Sequence, residues 1–196
     1  MESSSIGSSS VVKLGPWGST DRKNGSAWDD GGFFTGIRGI TIQHSASGVQ
    51  TIKVDYDLLG LEKLGEVHGG GSLQEELEIN KHELSFPGEF LTGISGYHDG
   101  NVVRSLMFKS NKNRIFGPQM SETSSLMRFD CSVDGGKGAI VGFSGRSDQY
   151  LNSLEIYVAV LCPAGEFFDA MEEQGLVAYR TSPLMAKYAL HGLLRL

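Results

Sequence analysis

A threefold internal repeat limits the folding of this chain more than any single motif in it. The segments FTGIRG at Phe34–Gly39, FLTGISG at Phe90–Gly96 and AIVGFSG at Ala139–Gly145 bring Gly36, Gly93 and Gly142 into register, with Gly39, Gly96 and Gly145 three residues later. Each precedes a stretch with an apolar residue at every second position: TIKVDY from Thr51, SLMFKS from Ser105 and SLEIYV from Ser153. That alternation marks a half-buried antiparallel strand, and helical spacing is absent from all three. The repeated unit is therefore a β-hairpin, whose glycine pair flanks an inward apolar residue: Ile37, Ile94 or Phe143. What differs between copies is the connecting loop: QHSASGVQ, YHDGNV and RSDQYL. A second series, LGPWG at Leu14–Gly18, EVHGGGS at Glu66–Ser72 and RIFGPQ at Arg114–Gln119, stands before the outer strands of each unit. Three like hairpins predict pseudo-threefold symmetry about a shared apolar axis, in a closed all-β architecture that exposes few strand edges.

Composition agrees with one such domain. A chain of 196 residues can bury one sizeable core and is short for two. Its 27 glycines are about twice the usual share of about 7% and suit many short strands with tight turns. The formal net charge of −6 and the lack of a Lys or Arg run offer nucleic acid or an anionic membrane surface nothing to grip. The start, MESSSIGSSSVV, lacks the basic and apolar regions of a signal peptide, and no eighteen consecutive residues are apolar. The expected location is the cytoplasm, with the nucleus second, and no membrane insertion is expected.

Residues 1–10 are Ser-rich and predict a disordered tail; 11–160 form the domain. In 161–196, Phe168, Met171, Leu184, Tyr188 and Leu193 fall at roughly helical spacing, broken by Gly175 and Pro183. Two short helices and a poorly ordered tail both fit this spacing, and an extension that covers part of the β domain is expected ahead of a dedicated partner-binding helix. Cys131 and Cys162 read as packed thiols in a reducing compartment.

Catalytic and metal chemistry finds little support. Asp29 and Asp30 are adjacent, so on a strand they face opposite ways, and they read as turn caps. His44, His68, His82, His98 and His191 share no ligand spacing with one another or with a cysteine. HGGGS at His68–Ser72 lacks the lysine and helix start of a phosphate-binding loop. Neither an enzyme nor a metal or other cofactor is expected.

Six stretches, GPWG at Gly15–Gly18, GSAWDDGGFFTGIRGI at Gly25–Ile40, FPGEFLTGISGY at Phe86–Tyr97, VVRSLMFKSNK at Val102–Lys112, FGP at Phe116–Pro118 and IVGFSGRS at Ile140–Ser147, occur in the order found in jacalin-related lectins. Over about Val11 to Val160 the chain resembles that plant family. The resemblance implies the β-prism I fold, with three four-stranded antiparallel sheets, and a protein that binds carbohydrate without catalysis. Its ligands would be glycans or glycoproteins, of mannose or glucose type first and galactose type second, in a defence or stress setting. It places Gly25 and the backbone N–H groups of Asp148, Gln149 and Tyr150 against the sugar, with Asn152 in the position of the family's carboxylate. His98, Asp99, Gly100 and Asn101 would line the side. STDRKN at Ser19–Asn24 resembles the linker that galactose-specific members excise. A homodimer or larger homo-oligomer is expected, because linked sites raise avidity.

GRSDQYLNSLEIY at Gly145–Tyr157 departs from the family pattern, which has glycine and aspartate where this chain has Asp148 and Asn152. If that glycine serves a positive φ, Asp148 is strained by roughly 1 kcal/mol. Replacing carboxylate by amide at 152 exchanges charge-assisted bonds for neutral ones, which weakens binding roughly tenfold. Gln149 stands where galactose binders often carry an aromatic, while Tyr150 keeps one ring. The family pattern thus predicts that Asn152→Asp alone helps little, with two carboxylates crowded together, and that restoring both residues strengthens binding about tenfold. The alternative is a β-prism interaction module whose sugar binding is weakened or lost.

Overall fold

A computed structural model of the protein describes residues 11–70, 77–118, 125–133 and 138–160. The expected N-terminal tail, the C-terminal extension and Cys162 lie outside the described residues. The three repeats are three long hairpins: β3 (Gly36–Ser45) with β4 (Gly48–Leu58), β8 (Leu91–His98) with β9 (Val103–Ser110), and β12 (Gly138–Ser147) with β13 (Leu151–Val160). Each occupies the middle of its own antiparallel sheet. β7 (Glu78–Glu83), β11 (Met127–Ser132) and β2 (Ser26–Asp29) flank the first strands of these hairpins. β10 (Ile115–Phe116) and β1 (Val11–Gly18) flank the second strands of the last two. Beside β4 the outer place is divided: β6 (Val67–Gly69) pairs with Thr51–Lys53, and β5 (Leu61–Lys63) with Tyr56–Leu58. That sheet therefore counts five strands where four were expected, with the β-prism arrangement otherwise as anticipated.

Chain order closes the prism. The first two sheets are built from consecutive strands, but the third takes its central hairpin from the end of the domain and β1 and β2 from its start. The core lies between the sheets, and Ile37, Ile94 and Phe143 are 1%, 2% and 0% exposed. Phe108 of the second sheet meets Phe143 of the third edge to face, ring centroids 6.1 Å apart, the packing that the aromatic quadrupole favours.

The repeated glycines are present mainly because space is lacking. A Cβ on Gly142 would lie 1.8 Å from the Gly31 carbonyl oxygen, on Gly96 2.1 Å from that of Ser105, and on Gly145 2.2 Å from that of Ser153. Gly39 is the loose member, with nothing nearer than 3.5 Å.

A cross-sheet polar cluster joins the third sheet to the first. The Trp28 ring of β2 stacks on His68 of β6 at 3.9 Å, and Asp30 bonds His68 Nε2 at 2.7 Å and accepts the Tyr56 hydroxyl at 2.6 Å. Burial, with Asp30 alongside, pushes the Tyr56 phenol pKa up. Asp29 accepts the Gly31 N–H at 2.8 Å, the turn cap expected of it. Asp30 does not cap a turn, because its side chain points to the buried pair His68 and Tyr56. Cys131 is a half-buried free thiol whose pKa is raised by burial and then by Asp130, which keeps it in the unreactive thiol form.

The packing gives two stability tests. Phe143→Ala should cost about 3–5 kcal/mol through lost burial and the cavity left behind. Gly142→Ala should cost about 2–4 kcal/mol because it meets backbone, whereas Gly60→Ala, with φ +87° and open space around it, should cost only about 1 kcal/mol. Urea unfolding of the three variants checks the order, and a Gly142→Ala variant as stable as Gly60→Ala would refute the close-approach account.

Candidate functional site

Each hairpin carries a bulge on its second strand just past the turn. The ladder shifts register at Gln50, Arg104 and Asn152, which lie between the paired residues Val49 and Thr51, Val103 and Ser105, and Leu151 and Ser153. A bulge turns its side chain away from the normal alternation, and here the bulge residues reach the turns. Gln50 Nε2 donates to Ser45 Oγ in its own hairpin at 3.3 Å. Arg104 donates to the Ser47 carbonyl of the first turn and to Asp99. Asn152 Nδ2 donates to the Asn101 carbonyl of the second turn at 3.4 Å. These contacts gather the three turns at one end of the prism.

The segment before β2 joins them. Ser19 N–H donates to the Asn152 carbonyl at 2.8 Å. Arg146 Nε donates to the Asn24 carbonyl at 3.1 Å and its guanidinium also reaches the Gly25 carbonyl. Gly25 has φ +77°, and a Cβ there would lie 2.4 Å from Asn152 Oδ1. Only glycine fits that place without displacing Asn152.

Asp148, Gln149 and Tyr150 form the third turn. Asp148 N–H donates to the Tyr150 carbonyl at 3.0 Å, and Tyr150 N–H donates back to Asp148 Oδ1 at 3.2 Å. The only non-glycine residues with positive φ among the described residues are Leu59 and Asn113. The expected strain at Asp148 is therefore corrected: its backbone is ordinary and its carboxylate closes the turn. Gln149 is exposed and Tyr150 half-buried.

Asn152 is 3% exposed. Its Nδ2 donates to Asn24 Oδ1 at 3.1 Å as well as to the Asn101 carbonyl, and Asn24 Nδ2 donates to that same carbonyl at 3.0 Å. A carbonyl oxygen can only accept, so both amide nitrogens must face it. Asn152 Oδ1 then points inward at Gly25, buried and without a hydrogen-bond partner.

The second turn is tied together by its own carboxylate. Asp99 Oδ1 accepts the N–H groups of Asn101 and Val102, both at 2.8 Å, and its Oδ2 accepts from Arg104. Burial would raise the Asp99 pKa, but these donors and the Arg104 charge outweigh it and hold it below the usual carboxylate range. His98 Nδ1 accepts the Gly100 N–H at 3.2 Å, and its ring leans on Phe129, which stacks on Trp17. Burial lowers the His98 pKa, against the opposing pull of Asp99.

Gly25, Asp148, Gln149, Tyr150, Asn152 and the His98–Asn101 turn are thus gathered around one end of the prism. Sequence reasoning missed Asn24, Arg146 and Arg104. Asn24 and Arg146 each neighbour a glycine of the repeat pattern or site loop, but no local pattern shows that their contacts cross more than a hundred residues.

Residues 14–157 match the family profile described as Jacalin-like lectin domain. The chain is 38% identical over 155 residues to Jacalin-related lectin 19 of Arabidopsis thaliana, covering 76% of this chain and 81% of that one. It is 33% identical over 140 residues to Myrosinase-binding protein 1 of the same plant, covering 70% of this chain but only 29% of the relative. Among solved structures, a mannose-binding lectin from Champedak superposes with TM-score 0.64 at 37% identity, covering 76% of this chain and 97% of that one. The chain belongs to the jacalin-like lectin family.

The second turn yields a pH test. Both groups have lowered pKa values, so the order they lend is complete above the ordinary His value of 6.5. It declines first as pH falls from there through the His98 pKa, and again as pH falls from the ordinary Asp value of 3.8 through the Asp99 pKa. NMR titration should place the His98 midpoint below 6.5, and Asp99→Asn should lower it further by removing the one charge that raises it. A midpoint at or above the ordinary value contradicts this geometry.

Proposed function

We propose that the protein is a carbohydrate-binding lectin that takes a sugar at the end of the prism where the turns meet, without making or breaking a bond. The observation that carries this reading is the junction of Gly25, the 148–150 turn and the 98–101 turn around Asn152, in a chain of the jacalin-like lectin family. Sugar hydroxyls both donate and accept, so recognition requires fixed donors beside fixed acceptors. Backbone and amide groups supply both here. Mannose or a glucose-related sugar is the first choice and galactose the second; likeness to a mannose-binding lectin supports that order.

One observation favours a second reading, an interaction module with little sugar binding. The N–H groups of Asp148 and Tyr150, and the Asn152 amide nitrogen, already bond within the protein. A relative named for binding myrosinase fits that reading too.

A glycan array separates the two. Reproducible signal on mannose, glucose or galactose ligands, competed away by free sugar, is the expected result. A blank array at high protein concentration favours the interaction module. For oligomers, the proposal is a homodimer, and light scattering that shows only monomer at tens of micromolar rules it out.

A further inference from the structure

We infer that in this chain the sugar-facing acceptor is the main-chain carbonyl of Asn101, that Asn152 serves as a donor, and that the Asn24 side chain holds the place of the sugar until one binds. The inference rests on the lectin reading above and concerns how the same site recognises its ligand.

The orientation of two amides carries the argument. Asn24 Nδ2 lies 3.0 Å and Asn152 Nδ2 3.4 Å from the Asn101 carbonyl oxygen. Because that oxygen only accepts, residue 152 turns its nitrogen toward the Asn101 turn and its oxygen inward onto Gly25. A carboxylate at 152 would be an acceptor, and here the outward-facing group is a donor. The acceptor beside it belongs to Asn101, an exposed residue. One hydroxyl suits this pair, its oxygen accepting from Asn152 Nδ2 while its hydrogen goes to the Asn101 carbonyl.

Asn24 already fills that role. Its Oδ1 accepts from Asn152 at 3.1 Å and its Nδ2 donates to Asn101, so the amide presents the same acceptor and donor that a hydroxyl would. Asn24 is half-buried while Asn152 beneath it is 3% exposed. Its backbone is fixed separately, through the Arg146 bond to the Asn24 carbonyl at 3.1 Å. The side chain can therefore leave without releasing the loop. Binding is an exchange of one amide for one hydroxyl, and the affinity is lowered by the two bonds that must first be broken.

This assigns residue 152 differently from the family pattern and makes an opposite prediction. Asn152→Asp would set a carboxylate oxygen against the Asn101 carbonyl and remove the donor, so binding should weaken. Asn24→Ala removes the competitor and should tighten binding roughly tenfold, from about one or two ordinary hydrogen bonds no longer broken. Asn24→Ser, too short to bridge both partners, should move in the same direction.

Isothermal titration of the full chain and the three variants with methyl-mannoside and methyl-galactoside tests this, with circular dichroism to show that each is folded. Side-chain amide spectra supply an independent readout: the Asn152 and Asn24 NH2 resonances of the parent should both move on saturation with sugar. Tighter binding by Asn24→Ala together with weaker binding by Asn152→Asp is the expected result. Sugar binding that tightens in Asn152→Asp, or is unchanged or weaker in Asn24→Ala, overturns this assignment and leaves the lectin reading standing. If neither the parent nor folded Asn24→Ala binds any sugar, the lectin reading falls and this inference falls with it.

Discussion

The contact between backbones at the repeated glycines is the constraint on which the rest of the prism depends. Gly142 passes Gly31, Gly96 passes the Ser105 carbonyl and Gly145 passes that of Ser153, each at a separation with no room for a Cβ. With these approaches in place, Ile94 and Phe143 reach the core that Ile37 shares, and burial of such side chains supplies most of the driving force. The Gly142 contact has a further role. It brings the segment after β2 against β12, which helps the start of the domain complete the sheet formed by its end.

That closure decides what stands beside the third hairpin turn. Because β2 pairs with β12, the residues just before β2 run past the turn that joins β12 to β13. Asn24 and Gly25 arrive there with their carbonyls held by Arg146, a residue of β12 itself. A connection between residues more than a hundred positions apart is thus a direct result of sheet order. The bulge at Asn152 adds the last element, since a regular ladder would send that side chain elsewhere.

Much of this fold is legible in the sequence because its causes are local and periodic. The three glycine pairs and the alternating TIKVDY, SLMFKS and SLEIYV segments show hairpins directly. The division of one outer strand into β5 and β6 is not legible, because it depends on how the 59–66 segment leaves β4 rather than on a pattern. At the site, the positions are legible through the family resemblance but the bonding is not. Asp148 looks like a strained replacement for glycine, yet its carboxylate meets the Tyr150 N–H and the turn needs no positive φ. Asp30 looks like a turn cap, but it serves His68 and Tyr56 on another sheet. The partner of Asp148 lies two residues away in its own turn, whereas the partners of Asp30 are set by three-dimensional closure.

The same threefold plan gives its three turns different chemistry, and the bulge residues show why. Among the described residues Gln50 reaches only its own hairpin, Arg104 brings a charge that is neutralised by Asp99 and shared with the first turn, and Asn152 brings a neutral amide shared with the second. A guanidinium paired with a carboxylate forms a closed, charge-assisted lock, which is costly for a neutral sugar to open. A ring of amides is held by weaker, neutral bonds whose donors and acceptors match those of a hydroxyl. The Asn152 bulge therefore carries neutral bonds whose donors and acceptors match those of a hydroxyl, and it is also the bulge that chain closure sets beside Gly25.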